Sequence, residues 1–387
     1  MERTNRIKPA KWFNNADSPV MLMVDDFTNV WIDLNNNGRV DAGEDWGHAM
    51  NSPHSSFRFL TSQILDHWPA VKTTFFTPVA RVPMLRDYKC KAHFGPINET
   101  EEMVAFFRAV HEDERFEIAY HGLTHGVSGK DTGDFVQEWA SYKSLEEALE
   151  AIQKGKRIYF DVFGQYPTGG KYCGYEYNAF SDESIERSGF LWWCRSWDRG
   201  EAGSEEIERF DVRYFGVNKV IDIPSTVHGA LFTEPKNRGA RAFRKRAVLK
   251  DGIAQLEHLL KNRLVISIQE HISPARTDGR RQTPNIFDDK TGLKTIFDYL
   301  KDKHAWYCTG TELAKYVQSR DNVTVEETEE GFRLRCALEG IADGRRISLI
   351  VSDEKVRKIR APDGELIARG SGVFNVRVTE GLYSTIY

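Results

Sequence analysis

Two histidines and two aspartates follow apolar segments and are the residues best suited to do chemistry in this chain. His121 and His125 lie four positions apart in HGLTH, a spacing that can present two imidazoles to one zinc-type ion. Asp25 and Asp26 in the segment MLMVDDF offer a third ligand and leave one metal position open for water. An isolated H-x-x-x-H can equally be two unrelated loop histidines. Together, however, the two motifs predict a catalytic metal site.

The segment DLNNNGRVDAGE, residues 33–44, fits the calcium-loop pattern at every specified position. The alternative is a solvated turn, because Asn, Asp and Gly are common turn residues. No helical pattern flanks the segment, so we expect a calcium-ordered loop beside the aspartate pair rather than a sensor hand. The predicted ligands are the side chains of Asp33, Asn35, Asn37, Asp41 and Glu44 and the backbone carbonyl of Arg39.

The segments that must position these residues alternate between strand and helix. The strand patterns are SPVMLMVDDF, VKTTFFTPVA, FEIAYHGLTH and LVISIQEH, and the helix patterns include TEEMVAFFRAVHEDE, SLEEALEAIQKGKRIYFDVFG and AVLKDGIAQLEHLLKNR. This alternation predicts parallel βα units, in either a barrel or a doubly wound sheet. Each polar residue of interest falls at the C-terminal end of a strand, where both folds place their chemistry.

The sequence changes character near residue 320. Residues 321–387 contain short alternating strands separated by Gly and Asp-Gly turns, which is typical of an all-β module. We therefore expect a first domain of residues 1–320, with the 33–44 segment as an insertion, and a small β-sandwich-like accessory domain of residues 321–387.

The motifs, in this order, resemble the polysaccharide deacetylases with NodB-homology domains, carbohydrate esterase family four. The resemblance rests on a strand ending in DD, then HGLTH, then a helix leading into GKRIYFDVFGQYP, then a late strand ending in a histidine. It covers roughly residues 18 to 318. It implies a distorted (β/α) barrel of about seven parallel strands.

The resemblance also implies roles for the motif residues. Asp26 would bind the metal with His121 and His125, and Asp25 would be the general base that takes a proton from the activated water. His271, at the end of LVISIQEH, would be the general acid that protonates the leaving amine. Amide hydrolysis needs these components in any case, because it requires an activated water, a stabilised oxyanion and a proton for a poor leaving group.

The chain departs from the family pattern in its third and fourth motifs. The family has an arginine that pairs with the base and, two positions on, a proline; here Lys171 and Cys173 stand in GGKYCGYEYN. A lysine supplies the charge but not a bidentate fork, so the base would be less rigidly oriented. In the fourth motif, FLWWCRSWDRG, the candidates are Trp193 and Asp198.

The sequence offers two hints about the substrate. Aromatic residues near the third and fourth motifs, among them Tyr172, Tyr175 and Trp193, could stack on sugar rings or simply be core. Basic residues crowd segment 236–246 and the segment after His271, where Arg276 lies. If both segments line the cleft they favour an anionic sugar; the alternative is a solvated surface paired with acidic residues.

Composition excludes several classes of protein. The formal net charge of -4 argues against general nucleic-acid binding. The five cysteines are widely spaced and contain no C-x-x-C pair, so neither a disulfide framework nor a cysteine zinc site is indicated. No segment is apolar enough to span a membrane, and the start MERTNRIKPAKWF lacks a signal-peptide core. This predicts a cytoplasmic protein, or a secreted one if a signal peptide has been removed.

The sequence therefore predicts a zinc-type metal-dependent deacetylase acting on an acetylated carbohydrate, with calcium as a structural ion. One alternative is a hydrolase of another linear or cyclic amide in a small molecule. A second alternative, from a different class, is a catalytically silent, calcium-bearing carbohydrate-binding protein. The departures at Lys171 and Cys173 are what suggest the silent protein.

Overall fold

The secondary structure follows the predicted alternation over the residues described by this computed structural model, which are 6–88, 90–197, 207–233, 241–337 and 345–387, with the side chains of 241–245 left aside. The helices are α1 (Ser56–Gln63), α2 (Glu101–Glu112), α3 (Glu138–Ser141), α4 (Leu145–Phe163), α5 (Ser181–Arg187), α6 (Arg241–Lys261), α7 (Lys290–Leu300) and α8 (Gly310–Asn322).

The strands are β1 (Ile7–Pro9), β2 (Ser18–Asp25), β3 (Val30–Ile32), β4 (Thr73–Thr77), β5 (Ala92–Phe94), β6 (Phe116–Tyr120), β7 (Gly126–Val127), β8 (Val136–Gln137), β9 (Gly169–Lys171), β10 (Trp192–Cys194), β11 (Arg213–Phe215), β12 (Val220–Asp222), β13 (Val227–His228), β14 (Ile266–His271), β15 (Ala305–Tyr307), β16 (Val323–Glu327), β17 (Gly331–Cys336), β18 (Arg346–Val351), β19 (Lys358–Arg360), β20 (Leu366–Ala368), β21 (Val373–Arg377) and β22 (Gly381–Ile386).

The described chain divides into two compact units. One comprises Met1–Pro19, His304–Trp306 and Glu312–Tyr387, and the other comprises Val20–Lys303 and Tyr307–Thr311. The domain boundary at residue 320 stays a prediction.

The larger unit is built on a curled, mostly parallel half-barrel sheet. Nine of its strands follow the order β11-β12-β10-β9-β6-β4-β2-β14-β13, and all neighbours in this order are parallel except β11 and β12. The fold class predicted from the sequence is thereby confirmed, with eight parallel strands along this path where about seven were expected. Every residue of β2 is buried, as its nearly continuous apolar sequence requires in a strand covered on both faces.

Local signals in the sequence explain where the helices of this unit begin and end. The Thr100 side chain accepts a hydrogen bond from the Met103 N–H at the start of α2, and Ser144 does the same for Glu147 at the start of α4. Helix α4 ends at Gly164, whose φ of 68° is left-handed and favours glycine. These caps fix where α2 and α4 begin and where α4 ends.

The smaller unit contains two antiparallel sheets, one of order β1-β18-β21 and one of order β16-β17-β22-β19-β20. Their apolar residues form one core, which includes Leu349 and Phe374 from the first sheet and Phe332 and Tyr383 from the second. Among the described residues, no helix in either unit is both long enough and apolar enough to cross a membrane.

One buried carboxyl group in the larger sheet has no hydrogen-bond partner. Glu270 lies on β14, has no exposed surface, and both of its carboxyl oxygens are unpaired. Burial raises the pKa of Glu270 well above its usual value, and the neighbouring charge of Asp289 adds to the effect. The native protein therefore holds the Glu270 proton to a higher pH than the unfolded chain does.

This proton makes the free energy of unfolding depend on pH. The contribution is present in full below the carboxyl pKa of the unfolded chain, about 4.3, and is lost as pH rises toward the higher pKa of the native state. Glu270→Gln cannot ionise, so we expect it not to lose this contribution. The difference in unfolding free energy, variant minus wild type, should therefore be larger at about pH 8 than at about pH 4. Denaturant titrations at both pH values measure this, with the exposed Glu150→Gln on α4 as control. An equal pH dependence in all three proteins would show that Glu270 is not held neutral.

Candidate active site

The order of the strands brings the sequence-predicted residues to one edge of the sheet. Asp25 closes β2 and His271 closes the adjacent β14, and the Cα atoms of these two residues are direct partners in the parallel ladder. His121 follows β6, which is separated from β2 only by β4, and Lys171 closes the next strand, β9. Because all these strands are parallel, the four side chains share the carboxyl end of the sheet.

A cleft of about 320 Å³ opens at this edge. Its wall contains both of the residues to which the resemblance gives proton-transfer roles, Asp25 and His271. The other lining residues are Arg81, Met84, His125, Phe135, Gln137, Gly174, Tyr175, Trp197, Gln269, Arg276, Arg281, Gln282 and Thr283.

Asp25 is held from two sides by hydrogen bonds. The Lys171 ammonium group, which is fully buried, donates to Asp25 Oδ1 at 2.9 Å, and Gln269 Nε2 donates to Asp25 Oδ2 at 2.9 Å. Gln269 Oε1 in turn accepts from Lys171 Nζ and from the Tyr175 hydroxyl, which fixes the direction of the amide. Lys171 and Gln269 together supply the two-pronged support that a single lysine cannot give. The looser orientation of Asp25 expected from Lys171 alone is therefore not what the structure shows.

Asp26 is paired differently. Arg81 Nη1 donates to Asp26 Oδ1, and Gln282 Nε2 donates to Asp26 Oδ2 at 2.7 Å. Arg81 is buried, and its guanidinium lies 4.3 Å from the centre of the Trp46 ring. Burial alone would raise the pKa of Asp26, but the charge of Arg81 lowers it below the usual range. Asp26 is therefore ionised and engaged at both oxygens.

The two histidines of HGLTH lie against the two carboxylates. His121 Nδ1 donates to the backbone carbonyl of Lys171 at 2.9 Å, which leaves His121 Nε2 with a free lone pair, 3.9 Å from Asp25 Oδ2. His125 Nε2 lies 3.3 Å from Asp26 Oδ1, whereas His125 Nδ1 is buried without a hydrogen-bond partner. Burial lowers the pKa of both imidazoles, so both rings are neutral, as metal ligands must be.

Backbone strain marks the same two places. Asp26 and His125 each have a φ of 70°, in the left-handed region that residues other than glycine rarely adopt. Such strain costs on the order of 1–3 kcal/mol per residue and is common at functional sites, where the surrounding structure enforces it.

A buried glutamate enforces the shape of the histidine loop. The Glu138 carboxylate accepts hydrogen bonds from three consecutive backbone N–H groups, those of Leu123, Thr124 and His125, at 2.7 to 2.9 Å. It also accepts the Tyr142 hydroxyl at 2.7 Å. These bonds fix the backbone that carries His125 and so hold the ring in place.

Cys173 is the third member of a group with metal-ligand character. His121, His125 and Cys173 each offer one ligand atom within 4.8 Å of the other two, and all three residues are buried. The carboxylate of Asp26 is not part of this group. Burial raises the pKa of the Cys173 thiol well above its usual value, so the free thiol is not an activated nucleophile.

His271 has one nitrogen fixed by the backbone. Its Nδ1 donates to the Pro284 carbonyl at 2.6 Å, which sets the tautomer and leaves Nε2 available. The Asp198 named in the sequence analysis lies outside the described residues, as do residues 236–240 of the basic segment and the side chains of residues 241–245.

The residues predicted to contact substrate separate into two groups. Tyr175 and Arg276 line the cleft, whereas Tyr172 and Trp193 are fully buried and do not line it. The Arg276 guanidinium donates two hydrogen bonds to the Asp278 carboxylate, at 2.6 and 3.1 Å. Arg281, a further arginine of the lining, is paired with Asp288 in the same manner, at 2.5 and 3.0 Å.

The 33–44 segment folds into a loop closed by its own acidic side chains. Asp33 accepts from the Asn37 and Gly38 N–H groups, and Glu44 accepts from the Leu34, Asn35 and Asp41 N–H groups. The Asp41 side chain accepts from the amide groups of Asn35 and Asn37, while Arg39 donates its N–H to the Asn37 side chain. The Gly43 carbonyl accepts from Ser273 Oγ at 2.8 Å, so the loop touches the segment that follows His271.

Three supporting residues of the site were missed by sequence reasoning. Gln269 had a detectable signal, since it lies two residues before His271 and therefore on the same face of β14. Arg81 had a weaker signal, as a basic residue shortly after the buried strand β4. Glu138 had none, because its partners in the histidine loop are backbone N–H groups, which leave no trace in residue types.

Comparisons with known proteins give similarities only at the level of structure. No protein-family model and no curated protein sequence matches the chain. A Mycobacterium smegmatis protein assigned as a polysaccharide deacetylase is 14% identical, with a TM-score of 0.46 over 81% of this chain and 94% of its own. A Pseudomonas aeruginosa protein with the same assignment is 14% identical, with a TM-score of 0.48 over 79% and 92%.

A third similar structure is that of Puue allantoinase, which is 14% identical, with a TM-score of 0.49 over 79% of this chain and 91% of its own. The similar structures thus include proteins assigned to the family whose motifs the sequence resembles. At these identities and TM-scores, the similarities assign neither a family nor an activity to the chain. None of them bears on calcium.

The free energy of unfolding tests the buried ion pair of Asp25 and Lys171. We expect Lys171→Met to lower the free energy of unfolding by about 3–5 kcal/mol, because it leaves a buried carboxylate without its cation. Adding Asp25→Asn should restore part of that loss, since the second change removes the stranded charge. Denaturant titration of the two single variants and the double variant gives the coupling energy.

The exposed pair of Arg187 and Glu183 is the matched control, because the same cycle there should give less than about 1 kcal/mol. Simple additivity of Lys171→Met and Asp25→Asn would contradict the pairing of these two residues.

Proposed function

We propose that the chain is a metal-dependent hydrolase that removes an acetyl group from a carbohydrate, by preference from an acetamide. The observation that carries this proposal is the wall of the cleft, where an oriented carboxylate, Asp25, and a histidine of fixed tautomer, His271, stand beside a pair of neutral buried histidines. Hydrolysis of an amide needs this combination of a proton acceptor, a proton donor and a site for a Lewis acid.

The donor set fits a divalent metal of borderline softness, such as zinc or cobalt. Two neutral imidazoles and a neighbouring thiol or carboxylate are typical ligands for such ions, and His125 Nδ1 is a buried nitrogen that lacks a partner. His121 and His125 would hold the ion, with Asp26, as the resemblance implies, or Cys173 as the third protein ligand. When bound, the metal would supply Lewis acidity that polarises the acyl carbonyl and activates water.

The residues of the chain would divide the proton transfers between them. Asp25 would accept the proton of the attacking water, since the hydrogen bonds from Lys171 and Gln269 hold it at the wall of the cleft. His271, when both of its ring nitrogens carry a proton, would donate the Nε2 proton to the leaving nitrogen, while its Nδ1–H stays bound to the Pro284 carbonyl. The adjacent positions of Asp25 and His271 on paired strands would let both act on one substrate.

The cleft favours a small, uncharged sugar unit. Tyr175 and Trp197 line it with ring centres 5.8 Å apart, which offers an aromatic surface for a pyranose. The anionic substrate considered in the sequence analysis receives less support, because Arg276 and Arg281 are each paired with their own aspartate. A second candidate, hydrolysis of another small amide, is favoured by the modest cleft volume of about 320 Å³.

Acetate release and metal content together test the proposed function. The purified protein is loaded with zinc or cobalt and offered a panel of N- and O-acetylated sugars together with small linear and cyclic amides. We expect acetate from at least one N-acetylated sugar. Asp25→Asn and His271→Ala should each lower kcat/KM by about 10²–10⁴. Asp298→Asn, an exposed change on α7, is the control that should leave kcat/KM unchanged.

Three other outcomes are informative. Turnover of small amides without acetate release would replace the proposed reaction by the second candidate. Sugar binding without any hydrolysis, in the presence of added metal, would indicate the silent binding protein. Full activity of Asp25→Asn would contradict the assignment of the base.

We propose that calcium binds the 33–44 loop and stiffens it against the segment that follows His271. The support is that Asp33 and Glu44 are buried acids at the two ends of the loop, and that Gly43 already contacts Ser273. Residues 321–387 are proposed to form an accessory domain without a part in this chemistry.

Calcium should therefore raise thermal stability, and Asp33→Ala or Glu44→Gln should abolish that gain while the content of the catalytic metal stays the same. Thermal melts with calcium or a chelator measure this, with Asp17→Asn as a control outside the loop. A Tm that does not respond to calcium in the wild-type protein would overturn the proposal.

A further inference from the structure

Both carboxylate oxygens of Asp26, the atoms with which it could bind a metal, already have partners. Arg81 holds its Oδ1, Gln282 holds its Oδ2, and His125 Nε2 lies 3.3 Å from Oδ1. Arg81 is itself buried and stacked on Trp46. If Asp26 turned from Arg81 to a metal, that guanidinium would lose the hydrogen-bonded counter-charge that its burial requires.

The charges of the site also argue against Asp26 as a metal ligand. The two carboxylates Asp25 and Asp26 are each matched by one buried cation, Lys171 and Arg81, so the centre is neutral before a metal arrives. A divalent ion placed beside His121 and His125 would add two charges that no unpaired carboxylate of this pair offsets. An anionic ligand that is not already paired would offset part of this cost.

Cys173 is positioned to be that ligand. Its sulfur lies within 4.8 Å of the ligand atoms of His121 and His125 and is fully buried. The Cys173 thiol donates to the His121 carbonyl at 3.0 Å, so the sulfur lies beside the loop that carries both histidines. That contact would be given up on ligation, when the thiol proton leaves. The Nδ1 atom of His125 is buried without a hydrogen-bond partner, so one nitrogen of that ring has no other contact to give up on binding a metal.

We propose that Cys173, and not Asp26, completes the metal site with His121 and His125, while Arg81 and Gln282 hold Asp26 outside the first coordination shell. The proposal rests on the metal site of the proposed function and changes its ligand set. The set of two nitrogens and one thiolate sulfur suits zinc or cobalt and discriminates against magnesium and calcium, which prefer oxygen. Asp26 would then keep Arg81 neutralised and would act on the metal only through its contact with His125.

Cobalt spectroscopy of the full-length protein tests the assignment without a substrate. Cobalt(II) bound to a thiolate gives a near-ultraviolet sulfur-to-metal charge-transfer band, which nitrogen and oxygen ligands do not give. We expect the wild-type protein to show this band, and we expect added zinc to abolish it by displacing cobalt. Cys173→Ala should lose the band and bind cobalt more than about 100-fold more weakly, as for loss of a direct ligand. The control is Cys194→Ala, which also removes a buried thiol and should keep the band.

Asp26 is tested in the same way. Asp26→Asn, and the variant Asp26→Asn with Arg81→Met in case the single change prevents folding, should keep the band with less than about a 100-fold change in affinity. Cobalt ligand-field bands without the sulfur band in wild type would overturn the ligand assignment and leave the proposed function standing. Retention of the sulfur band by Cys173→Ala would also overturn it. No cobalt binding by wild type would overturn the assignment, and the absence of acetate release from the same samples would overturn the function as well.

Discussion

Two buried carboxylates stand side by side at the end of strand β2, and the rest of the site is organised by the need to neutralise them. Moving an ionised carboxylate out of water costs several kcal/mol unless it is paired and hydrogen-bonded. Asp25 meets this requirement through Lys171 and Gln269, and Asp26 through Arg81 and Gln282. The pairs differ in exposure of the carboxylate to the cleft: Asp25 lines it, whereas Asp26 does not. This difference separates a residue suited to proton transfer from one suited to a structural charge.

The surrounding elements serve these pairs. Trp46, which follows the 33–44 loop, provides the ring on which Arg81 stacks, so the loop is linked through Arg81 to Asp26. Glu138 binds three backbone N–H groups of the histidine loop and fixes the rings that face the carboxylates. The site therefore depends on backbone geometry in two loops as much as on the residues that line the cleft.

The sequence was sufficient to predict the sheet and the edge at which the polar residues meet, because buried parallel strands such as β2 are nearly continuous in apolar residues and strand ends are easily located. It was sufficient to place Asp25, Lys171 and His271 at the ends of their strands and the two histidines of HGLTH in the loop after β6. Their catalytic and metal-binding roles stay predictions. It did not predict that Arg81 pairs with Asp26 or that Gln269 supports Asp25, since these partners are 55 and 244 positions apart in the chain. The sequence also did not predict side-chain direction: the side chains of Tyr172 and Trp193 are buried in the core and do not line the cleft.

If Asp26 stays paired with Arg81, as proposed, a metal in this site binds His121, His125 and the Cys173 sulfur. The most direct measurement is anomalous X-ray scattering from crystals grown with cobalt. The predicted result is a cobalt peak bonded to His121, His125 and Cys173, with the pair of Arg81 and Asp26 intact. A peak bonded to an oxygen of Asp26, with the Arg81 guanidinium displaced, would contradict the account.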